Sequence, residues 1–175
     1  MDTMKALLER KSVRSYTGTP VTIEQRNQLL KAAYASPVSM GQYDTVELTV
    51  VQNPELLAQI DDTAAKRFGR EKMLYGAPML IIASTQLKGD ATDNAAYSNT
   101  ATIIENLNLA AVDLDLGACH IWGAIVAVAG DDGLKRSLKI SEGFTPVAGL
   151  VVGQTADGYT DRDIPEGRIK TEILD

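Results

Sequence analysis

From about Ala95 to Leu116 the chain reads as one long helix whose apolar side is too broad for an ordinary surface element. Ala101, Ile103, Ile104, Leu107, Ala110, Ala111 and Leu114 recur at helical spacing, and Leu109 and Val112 widen the stripe. Glu105, Asn106, Asn108 and Asp113 are its polar interruptions. A helix apolar over so much of its circumference is buried on more than one side. Two arrangements satisfy that demand: the central helix of a core built by one chain, or a helix that also packs against a second subunit. The second draws equal support from the small size of the domain and the rarity of large apolar patches on soluble monomers. Gly117 is the expected stop of this helix.

Other segments arrange themselves around it. Residues 2–10 read as a short helix with Met4, Leu7 and Leu8 on one face. Thr22 caps a second helix, with Gln25 three residues later completing a capping box, Leu29, Leu30, Ala32 and Ala33 on its apolar side, and Pro37 ending it. Val46–Val51 is an expected strand, and Asn53-Pro54 opens a helix running to about Phe68. After a charged connector, Met79–Ser84 is apolar on both faces and predicts a central strand. Residues 117–123 read as a strand, 131–138 as a short helix and Pro146–Gln154 as a further strand. The tail, 155–175, ends in the alternation Ile169-Lys170-Thr171-Glu172-Ile173-Leu174, read as an edge strand.

Composition narrows the function. The chain has 175 residues with 45% hydrophobic and 23% charged, which fits one globular domain. No apolar run is long enough to span a bilayer, and the opening Met-Asp-Thr-Met-Lys lacks the apolar stretch of a secretory signal, so the expected location is the cytoplasm. A net charge of −6 disfavours nucleic acid and anionic membrane surfaces. One Cys and one His exclude a disulfide framework and any multi-Cys or multi-His metal site, so no metal is expected. Cys119 and His120 are adjacent, and neighbours on a strand point to opposite faces, so a Cys-His nucleophile pair is not expected and Cys119 reads as a buried, inert thiol.

Against this acidic background, Arg10-Lys11-Ser12-Val13-Arg14-Ser15-Tyr16 is a local exception. In an extended segment Arg10, Ser12 and Arg14 share one side and Val13 faces the other. Paired guanidinium donors in a fixed plane suit a phosphate or carboxylate, although short basic runs of this kind are commonly solvated turns.

The order of motifs along the chain resembles the FMN-dependent nitroreductase family. The matching features are the Arg-x-Ser-x-Arg-x-Tyr opening, a loop Pro37-Val38-Ser39-Met40-Gly41-Gln42, the long apolar helix followed by Leu116-Gly117 and Trp122, and the Pro146-x-Ala148-x-x-x-x-Gly153 strand with Arg168 behind it. The departures are Met40 where the family often has Asn, Tyr43-Asp44 for Pro-Trp, and Gln154 for Tyr.

The resemblance implies an α+β fold, a mostly antiparallel central sheet wrapped by helices, in an intertwined homodimer with FMN bound between subunits. It implies flavin contacts from Arg10, Lys11, Ser12 and Arg14, from Pro37, Val38, Ser39 and Gln42, and from His120, Ile121, Trp122 and Gly123. Arg168 is either a third cation for the phosphate or an exposed tail arginine. The implied activity is hydride transfer from NADH or NADPH to the flavin and onward to a nitroaromatic, quinone or similar small acceptor, with no obligate catalytic side chain. The alternatives are a same-fold flavoenzyme of different chemistry and a non-catalytic module for a flavin or phosphate ligand.

Overall fold

In the computed structural model, residues 2–174 are described; Met1 and Asp175, the two ends of the segments considered above, lie outside the described residues. The elements in chain order are α1 (Thr3–Glu9), α2 (Ile23–Tyr34), β1 (Val46–Val51), α3 (Pro54–Phe68), β2 (Met79–Gln86), α4 (Asp93–Asp113), β3 (Gly117–His120), α5 (Gly123–Ala129), α6 (Asp132–Ser137) and β4 (Phe144–Gly153). The sheet order is β1-β2-β4-β3, and every pairing is antiparallel. This is the expected α+β arrangement, with helices on both faces of the sheet.

β2 shows why the sheet must be covered twice. Leu80 and Ile82 enter a core with Ile60, Ala64, Ile125 and Val128 from α3 and α5, while Met79, Ile81 and Ala83 enter a second core with Leu29, Ile104 and Leu107 from α2 and α4. Strand alternation sends successive side chains to opposite faces, so an apolar run fills both. α4 is a central helix of the core: Ile103, Ile104, Leu107, Ala111 and Val112 are buried within the chain, while Ala101 stays exposed and Leu109, Ala110 and Leu114 are half-buried.

Local signals set most of the helix starts. Thr22 and Gln25 form the reciprocal capping box, Asn53 accepts from the N–H groups of Glu55 and Leu56, and Asp131 accepts from that of Leu134. Three expectations fail at ends. Gly117 does not stop α4; Asp115 takes the left-handed position instead, with φ 54°, and the N–H of Leu116 donates to Ala111 O. Gly117 is already the first residue of β3. The expected strand through Gly123 ends at His120, and α5 follows, because Gly123-Ala-Ile-Val-Ala-Val-Ala is a short apolar helix that lacks a side-chain cap at its start. The expected edge strand at 169–174 does not form: Ile169, Ile173 and Leu174 are 79%, 78% and 90% exposed, and the segment pairs with neither edge strand of the sheet, β1 or β3.

α6 ends in a Schellman turn with Lys139 in the left-handed position at φ 56°: the N–H of Lys139 donates to Arg136 O, and that of Ile140 to Lys135 O. A left-handed backbone costs a non-glycine residue roughly 1–2 kcal/mol, part of which glycine gives back as unfolded-state entropy. Lys139→Gly is therefore expected to stabilise by about 0.5–1 kcal/mol, raising Tm by about 2 °C in a chain of this size. A calorimetric Tm at or below wild type would contradict it.

Candidate active site

Residues 11–17 run beside β3 as an added, irregular strand. The N–H of Val13 donates to Ala118 O, and that of Thr17 to Gln154 O. Val13 is 1% exposed, whereas Ser12 and Arg14 face outward, as the alternation predicts. The Tyr16 hydroxyl donates to Val13 O at 2.8 Å and fixes the turn, and burial holds that phenol far above its ordinary range. Arg14 lies over the Tyr75 ring, 5.8 Å from its centre.

Arg10 caps the end of α1 and stands half-buried beside α4. Its Nε is 3.5 Å from Glu105 Oε1, and the other carboxylate oxygen of Glu105 takes His120 Nε2 at 2.9 Å and Asn108 Nδ2 at 3.0 Å. Burial pushes the Glu105 carboxyl upward, but the hydrogen bonds from His120 and Asn108 and the charge of Arg10 outweigh it and hold it below the usual range. Cys119 is buried with its thiol pushed up by burial, against the opposing pull of Arg14, Ser12 and Arg10, so it is a structural thiol. His120 is exposed, on the other face of the strand.

The tail returns to this edge. Lys11 Nζ donates to Gly158 O at 2.7 Å and lies over the Tyr159 ring, and the Tyr159 hydroxyl donates to Leu116 O at 2.6 Å. Burial, with help from Asp115, pushes the Tyr159 phenol up to about 12. Arg162 donates from Nε to Leu8 O and from Nη2 to Leu7 O, satisfying carbonyls at the end of α1. Its guanidinium is pushed down by burial and then by the charges of Arg10 and Arg168. Sequence reasoning missed Arg162, which has no motif around it; its signal is its return in space to the Arg10 segment.

The remaining candidates are dispersed. Ile121 is buried and its N–H donates to Gly149 O, so its side chain belongs to the core. Trp122 is 70% exposed, with its ring 5.8 Å from that of Phe68, and Gly123 lies so close to Met73 that a Cβ would fall 2.4 Å from its Cε. Pro37, Ser39 and Gln42 are exposed and Val38 is buried. The N–H of Ser39 donates to Asn99 Oδ1, in the first half of α4, and Ser39 and Gln42 line a cavity of about 520 Å³ with Thr85, Lys88 and Asn94. Within one chain this loop therefore belongs to a cavity that Arg10, Ser12 and Arg14 do not line.

A fit to a phosphate ester follows from the donor set. The charges of Arg10 and Arg168 both bear on Arg162, and Glu105 is the one carboxylate within ion-pair distance of Arg10 among the described residues. A dianion beside Arg10 offsets those positive charges.

Comparison with known proteins points the same way. The Nitroreductase family profile matches residues 7–68 and 61–154. A Methanothermobacter thermautotrophicus protein provisionally named NADH dehydrogenase/NAD(P)H nitroreductase is 26% identical, over 94% of this chain and 83% of that protein. A Bacillus subtilis FMN reductase (NAD(P)H) is also 26% identical, over 89% of this chain and 67% of that protein. Among solved structures, a Desulfitobacterium hafniense nitroreductase with bound FMN superposes with a TM-score of 0.86 at 18% identity, covering 99% of this chain and 100% of that one. The fold is thus the nitroreductase fold, and with most of its length matched by the family profile, the chain belongs to the nitroreductase family.

Proposed function

We propose that the protein is a cytoplasmic FMN-dependent oxidoreductase, a single FMN-binding domain over residues 1–175. It passes hydride from NADH or NADPH through the flavin to a nitroaromatic, quinone or similar small acceptor. The observation that carries this reading is the placing of Arg10 at the end of α1 and, directly after it, of Ser12 and Arg14, which face outward from the segment hydrogen-bonded to β3. The activities named for the two relatives agree with it.

Bound FMN supplies the redox chemistry, and the chain supplies position. Arg10 and Arg168 would hold the phosphate, and Ser12 and Arg14 would hold the ribityl chain. Lys11 secures the tail against this segment. His120, Trp122 and Gly123, with the backbone of Ile121, flank the ring. Pro37, Val38, Ser39 and Gln42 come from the second subunit of a homodimer. The separate cavity that Ser39 and Gln42 line within one chain supports that assignment. So do Met4, Leu7 and Leu8 on α1 and Ile169, Ile173 and Leu174 on the tail, which point outward in a single chain.

The purified protein is expected to be yellow, to release FMN rather than FAD on heating, and to oxidise NADH or NADPH in the presence of a quinone. Chromatography of the released cofactor decides the first point: recovery of FAD, or of no flavin, sinks the reading. Yellow protein that oxidises neither nucleotide with any acceptor reduces it to a flavin-binding module. Sedimentation at low concentration is expected to give a dimer, and a folded, flavin-bearing monomer would overturn the two-subunit site.

A further inference from the structure

We propose that Glu105 is a built-in competitor for the guanidinium of Arg10, and that His120 sets how strongly it competes. The inference rests on the FMN reading above and concerns the tuning of that same phosphate site.

The two oxygens of Glu105 are unequally served. Oε2 takes two short contacts, His120 Nε2 at 2.9 Å and Asn108 Nδ2 at 3.0 Å, while Oε1 has Arg10 Nε at 3.5 Å. A separation of 3.5 Å lies beyond a good charged hydrogen bond, so Arg10 is held loosely, by charge. The carboxylate is thus anchored on the His120 side and leans on Arg10 with what remains. A phosphate that takes Arg10 displaces one weak contact, and Glu105 stays where its other two bonds hold it. It then stands as a fixed negative charge next to a dianion, which lowers phosphate affinity. Its depressed titration range keeps it ionised near neutral pH.

The consequence is a site that holds a phosphate-bearing flavin less tightly than Arg10 without Glu105 would. His120 moderates the effect. Its bond draws Glu105 away from Arg10; without it, the carboxylate leans harder on the guanidinium and the phosphate must displace a stronger contact. Glu105 and His120 are positioning residues here, acting through Arg10. Their opposite signs separate this arrangement from the simpler one in which Glu105 orients Arg10 for its ligand. In that case removing either member of the pair weakens binding.

The test uses the full-length chain stripped of flavin and titrated with FMN and with riboflavin, followed by quenching of flavin fluorescence. For a half-exposed pair, E105Q is expected to tighten FMN by about three- to tenfold while leaving riboflavin within about twofold. H120A is expected to weaken FMN about threefold more than it weakens riboflavin, and this phosphate-specific part to vanish in the E105Q background, because without the carboxylate there is nothing for His120 to restrain. Thermal melting of each variant confirms that the compared proteins are folded. E105Q that weakens FMN, that leaves it unchanged, or that moves both flavins equally overturns the inference, as does an H120A effect specific to FMN that persists in the E105Q background. Wild-type protein that binds neither flavin removes the FMN reading and this inference together. Wild-type protein that binds FMN normally and responds to neither substitution removes this inference alone.

Discussion

Arg10→Ala is expected to raise the dissociation constant for FMN by about thirty- to one-hundredfold, and Arg168→Ala by about tenfold. A phosphate dianion taken out of water needs more than one cation to offset its desolvation. Arg10 is the better placed of the two: its side chain is 28% exposed and it is fixed at the end of α1, whereas Arg168 is exposed on the tail. Loss of one partner of a buried charged hydrogen bond costs ~2–5 kcal/mol, and partial exposure places Arg10 near the lower end of that range. Removing Arg10 also deprives Glu105 of its cation, which leaves a carboxylate facing the phosphate without compensation. Salt separates the two arginines, since screening already weakens an exposed pair. The Arg168 effect is expected to shrink at high ionic strength, and the Arg10 effect to persist. Titrating flavin-free protein with FMN at low and high salt checks both. Equal constants for wild type and Arg168→Ala would place Arg168 in solvent, and equal constants for Arg10→Ala would remove the phosphate site altogether.

What the sequence made legible depended on whether the cause was local. The capping box at Thr22 and Gln25, the Asn53 cap and the two-faced strand Met79–Ser84 are decided by neighbouring residues, and each forms as read. The opening basic segment was legible as an alternation, with Val13 in and Ser12 and Arg14 out, because an extended backbone has a fixed period. Glu105 was visible only as a polar interruption in an apolar helix. Its pairing with His120, fifteen positions away, and with Arg10 is a product of topology: β3 brings His120, and the end of α1 brings Arg10, to the middle of α4. Arg162 was invisible for the same reason. The tail alternation misled, because a period of two states only what a segment would do once laid beside a strand edge, and the tail pairs with neither β1 nor β3 within one chain. Gly117 misled differently. A glycine after a helix reads as a cap, but this one serves close packing: a Cβ there would fall 2.8 Å from Val13 Cγ1 and 2.9 Å from Thr155 Cγ2.

Gly153 is its partner in the ladder, directly opposite Gly117, and it carries the largest expected effect on stability. A Cβ at Gly153 would sit 2.4 Å from Pro78 Cδ, 2.9 Å from Pro78 Cγ and 3.0 Å from Tyr16 Cδ1. None of these neighbours is the free end of a flexible chain. The Pro78 ring is closed and immediately precedes β2, and Tyr16 is tied through its hydroxyl to Val13 O. Overpacking a core costs typically ~1–3 kcal/mol, and two rigid rings place Gly153→Ala at about 3 kcal/mol, or about 6–12 °C in Tm. Gly149→Ala is the internal control. Its Cβ would come 2.4 Å from Cδ1 and 2.8 Å from Cγ1 of the buried Ile125 and 3.3 Å from Ile81 O, so one open side chain rather than two rings must give, and the expected cost is about 2 kcal/mol. The relief available at Gly153 is to push Tyr16 away, which carries Val13 and the Arg10–Arg14 segment with it. Gly153→Ala is therefore expected to weaken FMN binding as well as stability, while Gly149→Ala leaves binding near wild type. Melting curves and FMN titrations of the two variants decide the matter. Equal losses of Tm would show that rigidity of the neighbours is not what sets the cost, and a destabilised Gly153→Ala protein with unaltered FMN affinity would uncouple Tyr16 from the phosphate site.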